Sequence, residues 1–177
     1  GKVYLPMPRA KFERLQGSLT RKREGNFQPH LELATYQAHF DGQHLTAGEA
    51  KLRIVREGEV PAFLSWGETN LAIRSATWES QPPHAARWGG NPTGEIGVLV
   101  DTKADLKLAW QLTGDPRPGQ PPEFNLILPP ALVSRLTITA AANLRLQASE
   151  GYVWEEPPQP IGEQRTWQVS LGGRERV

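Results

Sequence analysis

Residues 36–47 read Tyr36-Gln37-Ala38-His39-Phe40-Asp41-Gly42-Gln43-His44-Leu45-Thr46-Ala47. Asp41-Gly42 is a strong hairpin signal, because both central residues of a type I′ turn need positive φ, which Gly adopts freely and Asp tolerates. With these two as the loop, Phe40 faces Gln43, His39 faces His44, Ala38 faces Leu45 and Tyr36 faces Ala47. One face then carries Tyr36, Ala38, Phe40, Leu45 and Ala47, and the other Gln37, His39, His44 and Thr46. That sorting is what a half-buried antiparallel pair requires. Continued outward, the register sets Leu33 against Ala50 and Leu31 against Leu52, apolar pairs of the opposite parity. Both strands change face together, near Ala34-Thr35 and Gly48-Glu49, which predicts a bend or bulge at Gly48 and a ribbon whose two ends use different faces.

Working outward, alternation recurs. Leu106, Leu108, Trp110 and Leu112 occupy every second position, with Asp105, Lys107, Ala109 and Gln111 between them. Residues 95–101 precede Thr102-Lys103-Ala104, which reads as a hairpin turn into that strand. Leu71 and Ile73, Phe124 to Leu128, Leu136 and Ile138, Leu144 to Ala148, Tyr152 to Trp154, and Trp167 to Leu171 predict further strands. The 17 Gly and 16 Pro are spread along the chain, as suits many short strands joined by turns. No amphipathic crossover helices separate the strands, which excludes a parallel α/β fold. The expected architecture is all-β: an antiparallel β-sandwich, jelly-roll or Ig-like, of about ten strands. Before it, residues 3–7 read as a short edge strand and residues 8–16 as a short helix begun by Pro8. Residues 17–29 read as a basic linker, so the expected division is 1–29 and 30–177.

The 177 residues suit one large domain. The absence of Cys removes disulfides, zinc-thiolate sites and thiol nucleophiles. A formal charge of +1 gives no general pull toward nucleic acid. The basic residues Arg9, Lys11, Arg14, Arg21, Lys22 and Arg23 lack the interleaved aromatics of a single-strand binder. No apolar run is long enough for a membrane span. Gly1 in place of an initiator Met, and the ending Gly-Gly-Arg-Glu-Arg-Val, predict a piece of a longer chain.

Candidates for chemistry are few. Directly opposed residues on a hairpin have Cβ atoms about 4.5–5.5 Å apart, so His39 and His44 could share one transition metal, with Asp41 leaning in. The plainer alternative is a solvent-facing polar pair. Of the six Trp, Trp78, Trp110 and Trp167 are expected in the core. Trp88 lies in a long loop without apolar period, and Trp154 precedes Glu155-Glu156 and a Pro run. With Tyr152 these two are the candidate ligand-binding residues, since the apolar face of a sugar stacks on a flat ring. The plainer alternative is that loop Trp residues cap the core. No Gly-x-Ser-x-Gly elbow exists. Gly89-Gly90-Asn91-Pro92-Thr93-Gly94 lacks the Lys-Ser/Thr of a phosphate loop. No cofactor and no catalytic residue is expected.

The start Val3-Tyr4-Leu5-Pro6 with Phe12-Glu13-Arg14-Leu15, the hairpin of Tyr36, Ala38, Phe40 and Ala50, Leu52, Ile54, the run Leu106 to Trp110, and Trp167 to Leu171 followed by Gly-Gly carry a resemblance. They are similar to segments of very large, uncharacterised exported proteins of bacteria with unusual envelopes. The resemblance implies a β module, extracellular or periplasmic, whose partners are neighbouring domains of the same polypeptide or another envelope protein. The expected function is a non-catalytic structural or interaction module. The alternatives are a carbohydrate-binding module using the loop aromatics, and an enzyme or metal-binding domain centred on His39 and His44.

Overall fold

The structure, a computed structural model, describes residues 28–115, 122–148, 152–155 and 164–172. The edge strand and helix expected at residues 3–7 and 8–16 lie outside them, as does the linker expected at 17–29 except for its last two residues. The described residues form eleven strands: β1 (His30–Phe40), β2 (His44–Val55), β3 (Ala62–Ser65), β4 (Ala72–Trp78), β5 (His84–Ala85), β6 (Trp88–Gly90), β7 (Ile96–Val100), β8 (Leu106–Thr113), β9 (Ala131–Ala141), β10 (Tyr152–Glu155) and β11 (Gln164–Gly172). They make an eight-stranded sheet, ordered β10-β11-β9-β1-β2-β8-β4-β5, and a three-stranded sheet, β3-β7-β6. The fold is all-β. Its ladders are antiparallel except for β1 and β9, which run parallel, a departure from the purely antiparallel expectation. The chain between those two strands is long enough to return in either direction.

The hairpin forms where Asp41-Gly42 places it, but its loop is longer than two residues. Phe40 pairs with Leu45 and His39 with Thr46. The cause is the Asp41 side chain. Its Oδ1 accepts the backbone N–H groups of Gln43 and His44 at 3.0 and 2.8 Å, while Asp41 N donates to His44 O at 3.1 Å. These bonds close a wider turn, in which Gly42 takes φ 110°. They also hold the Asp41 carboxyl below the usual range, the two backbone N–H groups first and His44 after them.

The change of parity in both strands is real, but the strands do not switch faces. Register shifts fall between Leu31 and Leu33 in β1, between Gln37 and His39, and between Leu45 and Gly48 where β2 meets β8. Each extra residue of a bulge inverts the alternation and so returns the apolar side chains to the same face. Ala47, at φ 47°, takes the strain of the bulge in β2. Leu31, Ala34, Tyr36 and Ala38 are all buried, as are Leu45, Ala50, Leu52 and Ile54. Nor does this ribbon offer a free edge: β1 is covered by β9 and β2 by β8.

One hydrophobic cluster draws on both sheets, from Tyr36, Leu52, Leu108 and Trp110 in the large one to Leu64, Val98 and Val100 in the small one. Burying a side chain of this size contributes about 1.5–3 kcal/mol. Trp78, Trp110 and Trp167 are buried as expected, and Trp66 with them. The Trp110 indole lies over Gly48, where an added Cβ would fall 2.5 Å from the Trp110 carbonyl and 2.6 Å from its ring. Tyr36 meets Trp110 edge-on, with ring centroids 6.3 Å apart. Its hydroxyl is buried with no hydrogen-bond partner among the described residues, and burial pushes it far above the ordinary tyrosine range.

Three expected strand features take a different form. Residues 102–104 are not a hairpin turn, since β7 pairs with β3 and β6 while β8 pairs with β2 and β4. The connection carries the chain from the small sheet to the large one. Residues 124–128 alternate as a strand does but form no ladder. Asn70 takes the place of a partner strand: Nδ2 donates to Asn125 O at 2.5 Å and Oδ1 accepts Ile127 N–H at 3.0 Å. Residues 144–148 likewise form no strand.

Candidate functional site

The inner face of the large sheet is consumed by the core, so the outer face is where side chains are free to act. Its composition follows from the ladders. One row runs Trp154, Gln168, Thr137, Gln37, Glu49, Ala109, and the next Tyr152, Ser170, Arg135, Thr35, Lys51, Lys107. Registered neighbours share a face, and the intervening Trp167, Val169, Leu136 and Ile138 are buried on the other side. Tyr152 and Trp154 therefore stand on the outer face, separated by two residues of strand, about 6.7 Å. They are 81% and 43% exposed.

The β2, β8 and β4 part of this face is a lattice of compensated charge. Lys107 Nζ lies 3.0 Å from Glu49 Oε2, which also accepts from Gln37 Nε2 at 3.2 Å. Lys51 Nζ lies 2.5 Å from Glu79 Oε2 and 3.4 Å from Asp105 Oδ2, and Arg53 Nε lies 3.8 Å from Asp105 Oδ1. The Lys107 ammonium holds the Glu49 carboxyl below its usual range, and Glu79 holds Lys51 above its own. The β9, β11 and β10 part is different. Its outward residues include Thr, Ser and Gln, the two aromatics, Val133 and Arg135, and Thr139 and Thr166 share a hydroxyl hydrogen bond at 3.3 Å. Among the described residues it carries no outward carboxylate, since Glu155 shares the inward parity of Trp167 and pairs with Arg165 at 3.3 Å. Among the described residues Arg135 has no ion-pair partner.

The other candidates fall elsewhere. Trp88 belongs to the small sheet and stacks on buried Trp66, with centroids 6.3 Å apart and ring planes 24° apart. It is thus not brought together with Tyr152 and Trp154 on one strand. His39 and His44 do not oppose each other, because the wider turn sets His39 against Thr46 and His44 against Thr113 of β8. Asp41 leans toward His44 alone, at 3.5 Å. Among the described residues no group of three His, Cys, Asp or Glu could hold a metal ion.

One constellation escaped the sequence reading. Ser80 Oγ lies 2.8 Å from His84 Nδ1, and His84 Nε2 lies 3.6 Å from Asp101 Oδ1. The residue types are those of a nucleophilic triad, but the wiring is that of a loop staple. The Ser80 hydroxyl also lies 2.7 Å from Pro82 O, so Pro82 O and His84 Nδ1 both stand within reach of its single proton. Pro82 and Pro83 beside it have no N–H to offer an oxyanion. The signal was the local run Ser80-Gln81-Pro82-Pro83-His84; Asp101 is brought in only by the fold.

No protein-family model matches the chain, and no curated protein matches it. Among solved structures it is similar to an M1 zinc metallopeptidase from Deinococcus radiodurans, with 12% identity and a TM-score of 0.48, over 81% of this chain and 39% of that one. It is also similar to native yeast LTA4 hydrolase, with 8% identity and a TM-score of 0.46, over 83% of this chain and 27% of that one. The chain spans less than half the length of either protein.

Proposed function

We propose that the chain is a non-catalytic interaction module of a larger bacterial exported or envelope protein, built as a lopsided β-sandwich. The shared core of the two sheets supports the sandwich. The division into eight and three strands departs from the more even sheets of a jelly-roll or Ig-like domain. The working surface is the β9, β11 and β10 part of the outer face. The observation that carries this reading is the solvent exposure of Tyr152 and Trp154 together on one strand face. Large aromatics left in water beside polar neighbours are a recurrent mark of contact surfaces. Partners are neighbouring domains of the same polypeptide or another envelope protein.

The test is to measure binding of the parent's flanking domains, produced separately, to the wild-type chain and to Trp154→Ala by calorimetry. Loss of binding with an unchanged circular dichroism spectrum supports the surface. Equal binding by both proteins, or turnover of a substrate that His84→Ala abolishes, contradicts it. A second reading, carbohydrate binding, is favoured by the same pair of exposed rings, since the apolar face of a sugar stacks on a flat ring.

A further inference from the structure

We infer that this surface takes an acidic polysaccharide, a chain of sugars bearing carboxylates, with rings stacked on Tyr152 and Trp154 and a carboxylate held by Arg135. The inference rests on the reading of the β10 end as the contact surface and adds the chemical class of the ligand. Three observations carry it. Tyr152 and Trp154 present two flat apolar rings on one face, from backbone positions about 6.7 Å apart. The rows they stand in carry the Ser170 and Thr137 hydroxyls, groups that exchange hydrogen bonds with a hydroxyl-rich ligand. Arg135 stands in the Tyr152 row, two strands inward, about 9.6 Å along the sheet. It has no carboxylate partner among the described residues, whereas Lys51, Arg53 and Lys107 are each paired on the same face. A guanidinium fork matches a carboxylate bidentately.

Other occupants fit less well. A nucleic acid presents a phosphate at every nucleotide and calls for several basic side chains, and among the described residues this part of the face supplies one Arg. A peptide strand adds to a sheet through edge N–H and C=O groups, whereas the distinguishing groups here stand on the face. A neutral glycan would leave Arg135 without a function.

The experiment titrates the full chain with polygalacturonate, alginate and hyaluronate, and with dextran as the neutral control, following tryptophan fluorescence. The expected result is a change with at least one acidic polymer and little with dextran. Binding should weaken about tenfold in Arg135→Gln and weaken further at about 0.5 M salt. Trp154→Ala should lose it, while Trp88→Ala and Lys107→Ala, both away from the surface, should keep it. Equal binding of dextran, unaffected by Arg135→Gln, overturns the acidic class and leaves the contact surface standing. No binding of any polymer overturns the inference, and the flanking-domain measurement then decides separately whether the surface is used at all. Thermal melts of each variant separate lost binding from lost folding.

Discussion

The two halves of the large sheet's outer face share continuous ladders and one core beneath them, yet they treat charge in opposite ways. Across β2, β8 and β4, Glu49, Lys51, Arg53, Glu79, Asp105 and Lys107 neutralise one another. Across β9, β11 and β10 the charges give way to hydroxyls, amides and exposed rings, with Arg135 uncompensated among the described residues. A compensated lattice has its attractions satisfied internally and gains little from a partner. A neutral face with two bare rings and one unmatched cation has its gains still to make. The shared backbone supports both, and side chains alone separate scaffold from recognition.

The largest expected effect lies beneath both halves. Gly48→Ala sets a methyl against the Trp110 carbonyl and ring, and the carbonyl cannot move without breaking its ladder. It should cost about 1–3 kcal/mol or more and lower the melting temperature by several degrees. An unchanged melt would show that the core does not depend on this close approach. Trp154→Ala comes next and separates the halves: stability should hold within about 0.5 kcal/mol while ligand binding is lost. A large drop in stability would place Trp154 in the scaffold instead. Lys107→Ala should do the reverse on a small scale, costing at most about 1 kcal/mol and leaving binding intact. Its cost should shrink further in high salt, as the thermal melt would report.

The smallest effect concerns the turn. The folded-state carboxyl of Asp41 is held below its ordinary value, so its contribution is present at neutral pH and is lost as pH falls through the acid range. An NMR titration should place its midpoint below that of a model Asp, and Asp41→Asn, which keeps the accepting oxygen, should retain the turn. A midpoint at or above the ordinary value would remove the two backbone hydrogen bonds from the account.

Much of this was legible before the fold was known, within limits set by physics. The Asp41-Gly42 turn and the parity change at Gly48 could be read from residue type and spacing. The loop length could not, because it depends on where one carboxylate finds its donors. The bulge expected at Gly48 is present, but the change of face expected with it is not, because alternation alone does not show that a bulge restores the original face. Strand neighbours such as β7 and β8, adjacent in sequence and parted in space, are fixed by tertiary packing. Tyr152 and Trp154 were visible as an alternating pair, but composition alone grouped Trp88 with them. Arg135 was readable too, since it shares the outward parity of Thr137 and Thr139 against Leu136 and Ile138. Its importance emerges only when β11 and β10 are laid beside it.

The most direct test of the division between scaffold and surface is an NMR titration of the isotope-labelled chain with oligogalacturonate, mapping which resonances move. The predicted footprint is Tyr152, Trp154, Gln168, Ser170 and Arg135, with Lys51, Lys107 and Trp88 unmoved. Shifts centred on the charged half or on Trp88, or none anywhere, would contradict the account.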